Sequence, residues 1–370
     1  MQGTARQSKA RHGKARHGTA RHGTARQMHN IPFWLFDYLQ IWSQPNASSH
    51  FNQPYLVIPG RSSLFHYTIF HKMVLIKVQN NEGKNVNVEK FAPFFFVLYG
   101  DIQYGMIRAN HGWAEERLLL REAVKKTNKL KPPFVIALGD LTNKFPIDEL
   151  QNNQIVDLKN DFTLLDKSID LYVFCGNHDV GNEPTYETIN HFEKTWGDSY
   201  YSFVYNNCGF IILNSPVFFD DTHVSELKDK QLKWLEDTLK KMTSLHVKYK
   251  FLLLHHALMY DHIYEDENIG LIYGDKFHSY SEKNKFHIKK ETRLIIYEML
   301  KKYKVSHVFC AHLHANREGN IDANIKQVTI SAVGMQATYD KSGVLIVQVG
   351  NSGVDYKYYP FEYIPNVINV

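Results

Sequence analysis

The sequence predicts a layered α/β fold, and three observations carry that expectation. Short, almost continuous apolar runs recur from about residue 92 onward. Stretches with helical periodicity separate several of them, and small polar clusters rich in Asp, Asn and His close them. Apolar runs of this length read as strands buried on both faces, and strands alternating with helices imply a layered sheet architecture.

The runs are Phe94 to Leu98, Phe134 to Leu138, Leu171 to Phe174, Phe210 to Leu213, Phe251 to Leu254 and Val305 to Phe309. Residues 113–129 carry Glu115 and Glu116 early and Lys125, Lys126 and Lys129 late, the charge order that suits a helix dipole. Residues 227–242 set Leu232, Leu235, Leu239 and Met242 on one helical face, and 291–303 form a third such stretch. Strands return at 327–333, 343–349 and 354–359, the last two joined by a turn at Asn351-Ser352-Gly353. These elements outline one domain, residues 73–370, with its core at about 92–362.

The beginning of the chain has a different character. An Ala-Arg pair recurs at 5–6, 10–11, 15–16, 20–21 and 25–26. Residues 1–72 contain nine Lys or Arg and one acid, Asp37, so they carry +8 of a net +5 and leave −3 for residues 73–370. A one-signed, Gly-containing repeat buries too little apolar surface to offset its ordering entropy, so residues 1–72 read as a disordered basic tail. The working protein is expected to begin near Met73. The slightly acidic core offers no basic track for a phosphate backbone, which argues against a nucleic-acid partner. No apolar run is long enough to span a membrane. Cys175, Cys208 and Cys310 are too few for a disulfide framework, so a reducing, cytoplasmic location is expected.

The chemistry lies at the strand ends, where open α/β sheets place their sites. They read Gly100-Asp101-Ile102-Gln103, Gly139-Asp140, Gly176-Asn177-His178-Asp179, His255-His256 and Ala311-His312-Leu313-His314. A single Gly-Asp after a strand is usually a turn, and a single His pair is usually structural. Five successive endings that each deliver an oxygen or imidazole donor point to a dinuclear metal site. Two cations about 3.5–4 Å apart clamp a phosphate and generate a hydroxide nucleophile near neutral pH. They need an anionic bridge, for which Asp140 is the candidate. Mixed Asp, Asn and His donors suit Mn, Fe or Zn rather than Mg or Ca.

In this order, the motifs resemble the calcineurin-like metallophosphoesterases. The stretches Gly176 to Thr185, Trp196 to Phe203, Leu213-Asn214-Ser215 and Phe309 to His314 extend the likeness to the calcineurin-like phosphoesterase domain-containing protein 1 group. The resemblance covers about residues 92–362. It implies two mixed β-sheets packed as a sandwich and flanked by α-helices, and cytoplasmic Ser/Thr protein phosphatase activity on a phosphorylated protein. Carried over by position, it implies that Asp101 and His314 bind a first metal, with Gln103 beside them. Asn177, His255 and His312 would then bind a second, and Asp140 both. His178 would protonate the leaving oxygen or stabilise the phosphate, with Asp179 fixing its orientation.

Two departures stand out. Gln103 occupies a position where most of the superfamily has His, although the nearer group also has Gln. Ala311 replaces the usual Gly, which matters only if the backbone there needs a positive φ. The phosphate-gripping arginine of the large phosphoprotein phosphatases is not evident, and Lys144, Asn214 and His256 are candidates for phosphate contact. His256 itself is expected at the rim of the site. Residues 261–290 read as a long loop over it. Small nucleotides, cyclic phosphodiesters or pyrophosphates are alternative substrates with the same metals. A catalytically inactive scaffold is a further alternative, but it would show eroded ligands.

Overall fold

The computed structural model describes residues 90–266 and 287–370. The tail, the expected start near Met73 and the centre of the expected loop lie outside the described residues.

Strand β1 (Phe94–Tyr99) leads to helix α1 (Ala114–Leu130). Glu115 and Glu116 occupy the first turn of α1, and Lys131, at φ 55°, ends it by donating its N–H to Thr127 O ahead of Pro132 and Pro133. β2 (Phe134–Ala137) is followed by α2 (Glu149–Phe162), which Asp148 caps by accepting the Leu150 N–H. After β3 (Asp170–Val173) comes a single turn, α3 (Asn177–Val180). Next is α4 (Tyr186–Trp196), capped by Thr185 and ended at Gly197. The hairpin β4 (Tyr201–Tyr205) and β5 (Cys208–Ile212) leads to α5 (Pro216–Phe219) and α6 (Ser225–Ser244). β6 (Tyr249–Leu253), α7 (Lys290–Lys302) and β7 (His307–Cys310) follow. Four strands close the chain: β8 (Arg317–Asn320), β9 (Lys326–Thr329), β10 (Gly343–Val349) and β11 (Val354–Pro360).

Among the described residues these strands build a five-stranded sheet in the order β11-β10-β1-β2-β3 and a six-stranded sheet in the order β4-β5-β6-β7-β9-β8. Both are mixed. β1, β2 and β3 run parallel, β10 runs antiparallel beside β1, and β11 pairs antiparallel with β10. β5, β6, β7 and β9 run parallel, with β4 and β8 antiparallel at the edges. Parallel neighbours end together, which brings the polar clusters to one end of each sheet.

Alternation along the strands produces two cores. Phe94, Phe96, Leu98, Phe134 and Ile136 pack against Phe203, Phe210, Ile212, Phe251 and Phe309 of the other sheet. Phe96 alone meets Phe210 and Phe251 with ring centroids 5.3 and 5.9 Å away. Losing so large a ring from a packed interface costs about 3–5 kcal/mol. The intervening residues face the helices. Val97, Tyr99, Val135 and Ala137 join Leu120, Val124, Leu158 and Phe162, while Ile211 and Leu252 join Leu235, Leu239 and Ile296. Helices therefore cover the outer sheet faces, and the expected two-sheet α/β sandwich is the observed fold.

Candidate metal centre

Each expected donor leaves the end of a strand on a short, tightly bonded turn. The turn after β1 is stapled to the turn after β2: Gln103 N donates to Asp140 O at 2.9 Å, and Asn143 N to Tyr104 O at 3.0 Å. Ala311 N donates to His255 O at 3.0 Å, which joins the turns after β6 and β7. Asp101, Gln103, Asp140, His312 and His314 all adopt positive φ, between 22° and 70°. Such backbone is uncommon outside glycine, and holding it at several donors of one cluster marks a site where the fold has imposed the geometry. Ala311 is not among the positive-φ residues, so the extra methyl carries no backbone strain.

Gly176 serves a different need. A Cβ there would lie 2.2 Å from Asp140 Oδ1 and 2.5 Å from Asp140 N, so only glycine lets the turn after β3 approach the Asp140 carboxylate. That approach brings His178 N within 2.9 Å of Asp140 Oδ1, to which it donates. His312 N likewise donates to both oxygens of Asp101, at 3.2 and 3.1 Å.

The imidazoles are oriented by carbonyl groups, which can only accept. His255 Nδ1 donates to Leu138 O at 2.8 Å, and His314 Nδ1 donates to Met335 O at 2.6 Å. Each ring, when neutral, therefore offers an Nε2 lone pair. Around His255 Nε2 lie Asp140 Oδ2 at 3.2 Å, Asn177 Oδ1 at 3.2 Å and His312 Nδ1 at 3.1 Å. The Asn177 amide is turned so that Nδ2 donates to Asn182 Oδ1, leaving its oxygen toward His255. His314 Nε2 is 3.5 Å from Asp101 Oδ1. Electron-pair donors this close and this buried repel one another unless a proton or a cation sits among them. Burial works against charge on His255, yet Asp140 beside it raises that imidazole to about 9. Asp140 in turn is pulled down, against burial, by His255 and His178.

The donor set fits divalent metal ions. Asp140, His255 and His312 present ligand atoms within 4.8 Å of one another. Gln103 is fully buried, and its Oε1 has no hydrogen-bond partner, while its Nε2 donates to Asn143 Oδ1 at 3.3 Å. An orphaned buried carbonyl oxygen, on the turn that follows Asp101 and is bonded to the Asp140 turn, is what a cation would satisfy.

His178 belongs to the same cluster, but its orientation has another origin than expected. Its Nδ1 donates to Asn143 O at 2.6 Å, and its ring stacks on Phe145. The Asp179 carboxylate instead accepts the N–H groups of Gly176 at 2.8 Å and Leu141 at 3.1 Å. Asp179 thus caps α3 and ties it to the Asp140 turn, acting on the backbone that carries Asn177 and His178. His256, expected at the rim, is buried beside His255 and His312. Asn143 and Phe145 were not singled out from sequence: Asn143 acts through its carbonyl, which leaves no residue-type signature, and a single aromatic in a turn carries no pattern.

A sequence model described as calcineurin-like phosphoesterase matches residues 95–316. The chain belongs to the calcineurin-like phosphoesterase family. The serine/threonine-protein phosphatase CPPED1 of Homo sapiens is 32% identical over 281 residues, covering 73% of this chain and 84% of that protein. The Danio rerio protein of the same name is also 32% identical, over 73% and 85%. Among solved structures, a dimetal phosphatase from Danio rerio matches with a TM-score of 0.53 at 13% identity, over 73% of this chain and 97% of that one. The yellow lupin purple acid phosphatase PPD1 gives 0.52 at 13% identity, over 74% and 52%. These two establish the fold. As a member of this family, the chain is a metal-dependent phosphoric ester hydrolase. No described helix is long and apolar enough to cross a membrane.

Proposed function

We propose that this calcineurin-like phosphoesterase hydrolyses phosphoserine and phosphothreonine monoesters in proteins at a two-metal centre. One observation carries the reading: Asp140, Asn177 and His312 converge on His255 Nε2 within 3.1–3.2 Å, with the unpartnered Gln103 oxygen close by in the same pair of turns. In this reading Asp101, His314 and Gln103 hold a first metal, Asn177, His255 and His312 a second, and Asp140 both. When bound, the pair supplies Lewis acidity toward the phosphoryl group and a nucleophile at neutral pH. Mixed oxygen and nitrogen donors favour Mn, Fe or Zn.

The chain's own groups do the remaining work. Backbone N–H groups of His178 and His312 hold the Asp140 and Asp101 carboxylates in place. Leu138 O and Met335 O keep the His255 and His314 lone pairs turned inward. His178 sits where it can serve the leaving oxygen. Because its Nδ1–H is committed to Asn143 O, Nε2 can hand over a proton only from the doubly protonated ring. Burial disfavours that form, and Asp140 favours it.

Protein substrates are supported by the relatives named serine/threonine-protein phosphatase. Free, buried Cys175, Cys208 and Cys310 suit a reducing compartment, which supports the cytoplasm as the site of action. The working unit in this reading is residues 73–370. The test is turnover of a phosphoserine peptide against a cyclic nucleotide and a nucleoside diphosphate, with manganese supplied, in wild type, Asp140→Ala and His178→Ala. Preferential hydrolysis of the peptide, lost in both variants, is expected. Preference for either nucleotide would replace the protein substrate with a small one.

A further inference from the structure

The grip on the phosphoryl oxygens is the part of the site still unassigned. Arginine is the usual answer, but every arginine among the described residues is engaged elsewhere. Arg108 pairs with Glu115, Arg117 and Arg121 with Asp161, and Arg317 with Asp261. Arg293 is buried and donates to Ile263 O and Ile288 O. Lys144 pairs with Asp148 at 3.1 Å. A neutral donor inside the cluster is therefore the group to look for.

Ser215 supplies the clue. Its fully buried hydroxyl oxygen accepts the backbone N–H of His255 at 3.1 Å and of His256 at 2.9 Å. A hydroxyl has two lone pairs and one hydrogen, so both acceptor positions are filled and the hydrogen must go elsewhere. His256 Nδ1 lies 3.0 Å from the same oxygen. Ser215 therefore donates to Nδ1, which leaves that nitrogen without a proton. A neutral ring in this state carries its hydrogen on Nε2. His255, His314 and His178 are the reverse, since their Nδ1–H groups are committed to carbonyls. Phe219 stacks on the His256 ring at 4.7 Å and 17°, and the His312 ring lies 4.5 Å away, so the imidazole is clamped within the cluster.

We propose that His256 donates its Nε2–H to a phosphoryl oxygen of the substrate, and that Ser215 is the positioning residue that imposes the donor tautomer. A neutral imidazole in this state is a fixed donor for an anionic acceptor, without the desolvation penalty of a buried cation. The inference rests on the phosphoesterase reading of the site, but it can fail separately.

The test uses the full chain loaded with zinc. Long-range proton–nitrogen NMR of its histidines reads the tautomer, and competitive inhibition by inorganic phosphate reads the grip. We expect wild-type His256 to be protonated on Nε2 alone and Ser215→Ala to shift the ring toward the other tautomer. One hydrogen bond to a charged acceptor is worth roughly a tenfold change or more, so the phosphate inhibition constant should rise by that factor in Ser215→Ala and His256→Phe. His256→Gln, which keeps an N–H donor, should recover most of the loss, with two metals still bound per chain. Protonation on Nδ1 in wild type, or unchanged phosphate inhibition in His256→Phe, would overturn the assignment. Should Ser215→Ala fold poorly, the two His256 variants and the wild-type tautomer still decide. A wild type that turns over no phosphomonoester would strike the functional reading instead, because the tautomer is read without turnover.

Discussion

His178 lies flat against Phe145, with ring centroids 4.7 Å apart and planes 11° apart. Phe145 and Asn143, whose carbonyl oxygen takes the Nδ1 proton, belong to the turn that begins at Asp140. The imidazole is thus fixed by the same turn that carries the Asp140 carboxylate. Replacing Phe145 with Ala removes one of the two constraints on the ring and leaves every proposed metal donor in place. We expect kcat on an aryl phosphate to fall about tenfold, the scale of a misplaced acid–base group. Elemental analysis should still find two metals per chain, and Phe145→Tyr should retain most of the activity. Unchanged kcat would show that Asn143 alone orients His178.

Gln103 separates a metal ligand from a structural amide by the sign of its effect. Its unpartnered, buried Oε1 disfavours the metal-free protein, by about 1–3 kcal/mol for a group of this kind. Gln103→Met, of similar volume and without the carbonyl, should therefore raise the melting temperature of chelator-treated protein. The same change should shrink the stabilisation gained on adding manganese, because a donor has gone. A thermal scan with and without metal reads both effects. Equal metal-induced gains in wild type and variant would remove Gln103 from the first site.

Gly176 tests the close packing of the turns after β2 and β3. Its own φ of −101° is open to any residue, so the requirement is purely one of space. With a Cβ 2.2 Å from Asp140 Oδ1, Gly176→Ala must push that carboxylate or its backbone aside. Overpacking of this kind costs about 1–3 kcal/mol. Bound metal should also drop below two per chain, since Asp140 is the proposed shared donor. A variant that keeps both metals and full stability would mean that Asp140 relaxes freely.

How far the sequence revealed this arrangement depended on whether the signal was one of type or of geometry. The side chains that converge on His255 were legible because Asp, Asn and His closing successive apolar runs is a pattern of type. So were the helices now seen as α1, through the order of its charges, and α6 and α7, whose apolar residues repeat at helical spacing. α2 was missed because much of its buried face is Gln151, Gln154 and Asp161, polar side chains that do not register as a core stripe. α4 was missed although Thr185 and Gly197 mark both of its ends. The roles of Asn143, Leu138 and Met335 lie in their carbonyl groups, which every residue has. Asp179 was assigned to the wrong partner for a related reason: adjacency in sequence suggested the imidazole, while the α3 turn aims the carboxylate at Gly176 N and Leu141 N.

A last expectation concerns acid stability. Glu265 is buried, and its carboxylate accepts the N–H groups of Tyr260, Asp261 and His262 at 2.6, 2.8 and 3.0 Å. His287 Nε2 faces it at 3.3 Å. Burial acts to raise this carboxyl, but His287 and the three N–H groups outweigh it and hold the group down at about 2. Between that value and the ordinary glutamate range near 4.3, the unfolded chain binds more protons than the native one. The stabilisation is therefore complete above about pH 4.5 and is lost as the pH falls toward 2. Allowing for solvent screening, it amounts to about 1–2 kcal/mol. Urea unfolding of metal-free wild type and Glu265→Gln should differ by that amount at pH 5, and the gap should narrow by pH 3. A gap that stayed constant with pH would mean that Glu265 stabilises the turn by shape alone, since a neutral Gln accepts the same N–H groups without titrating.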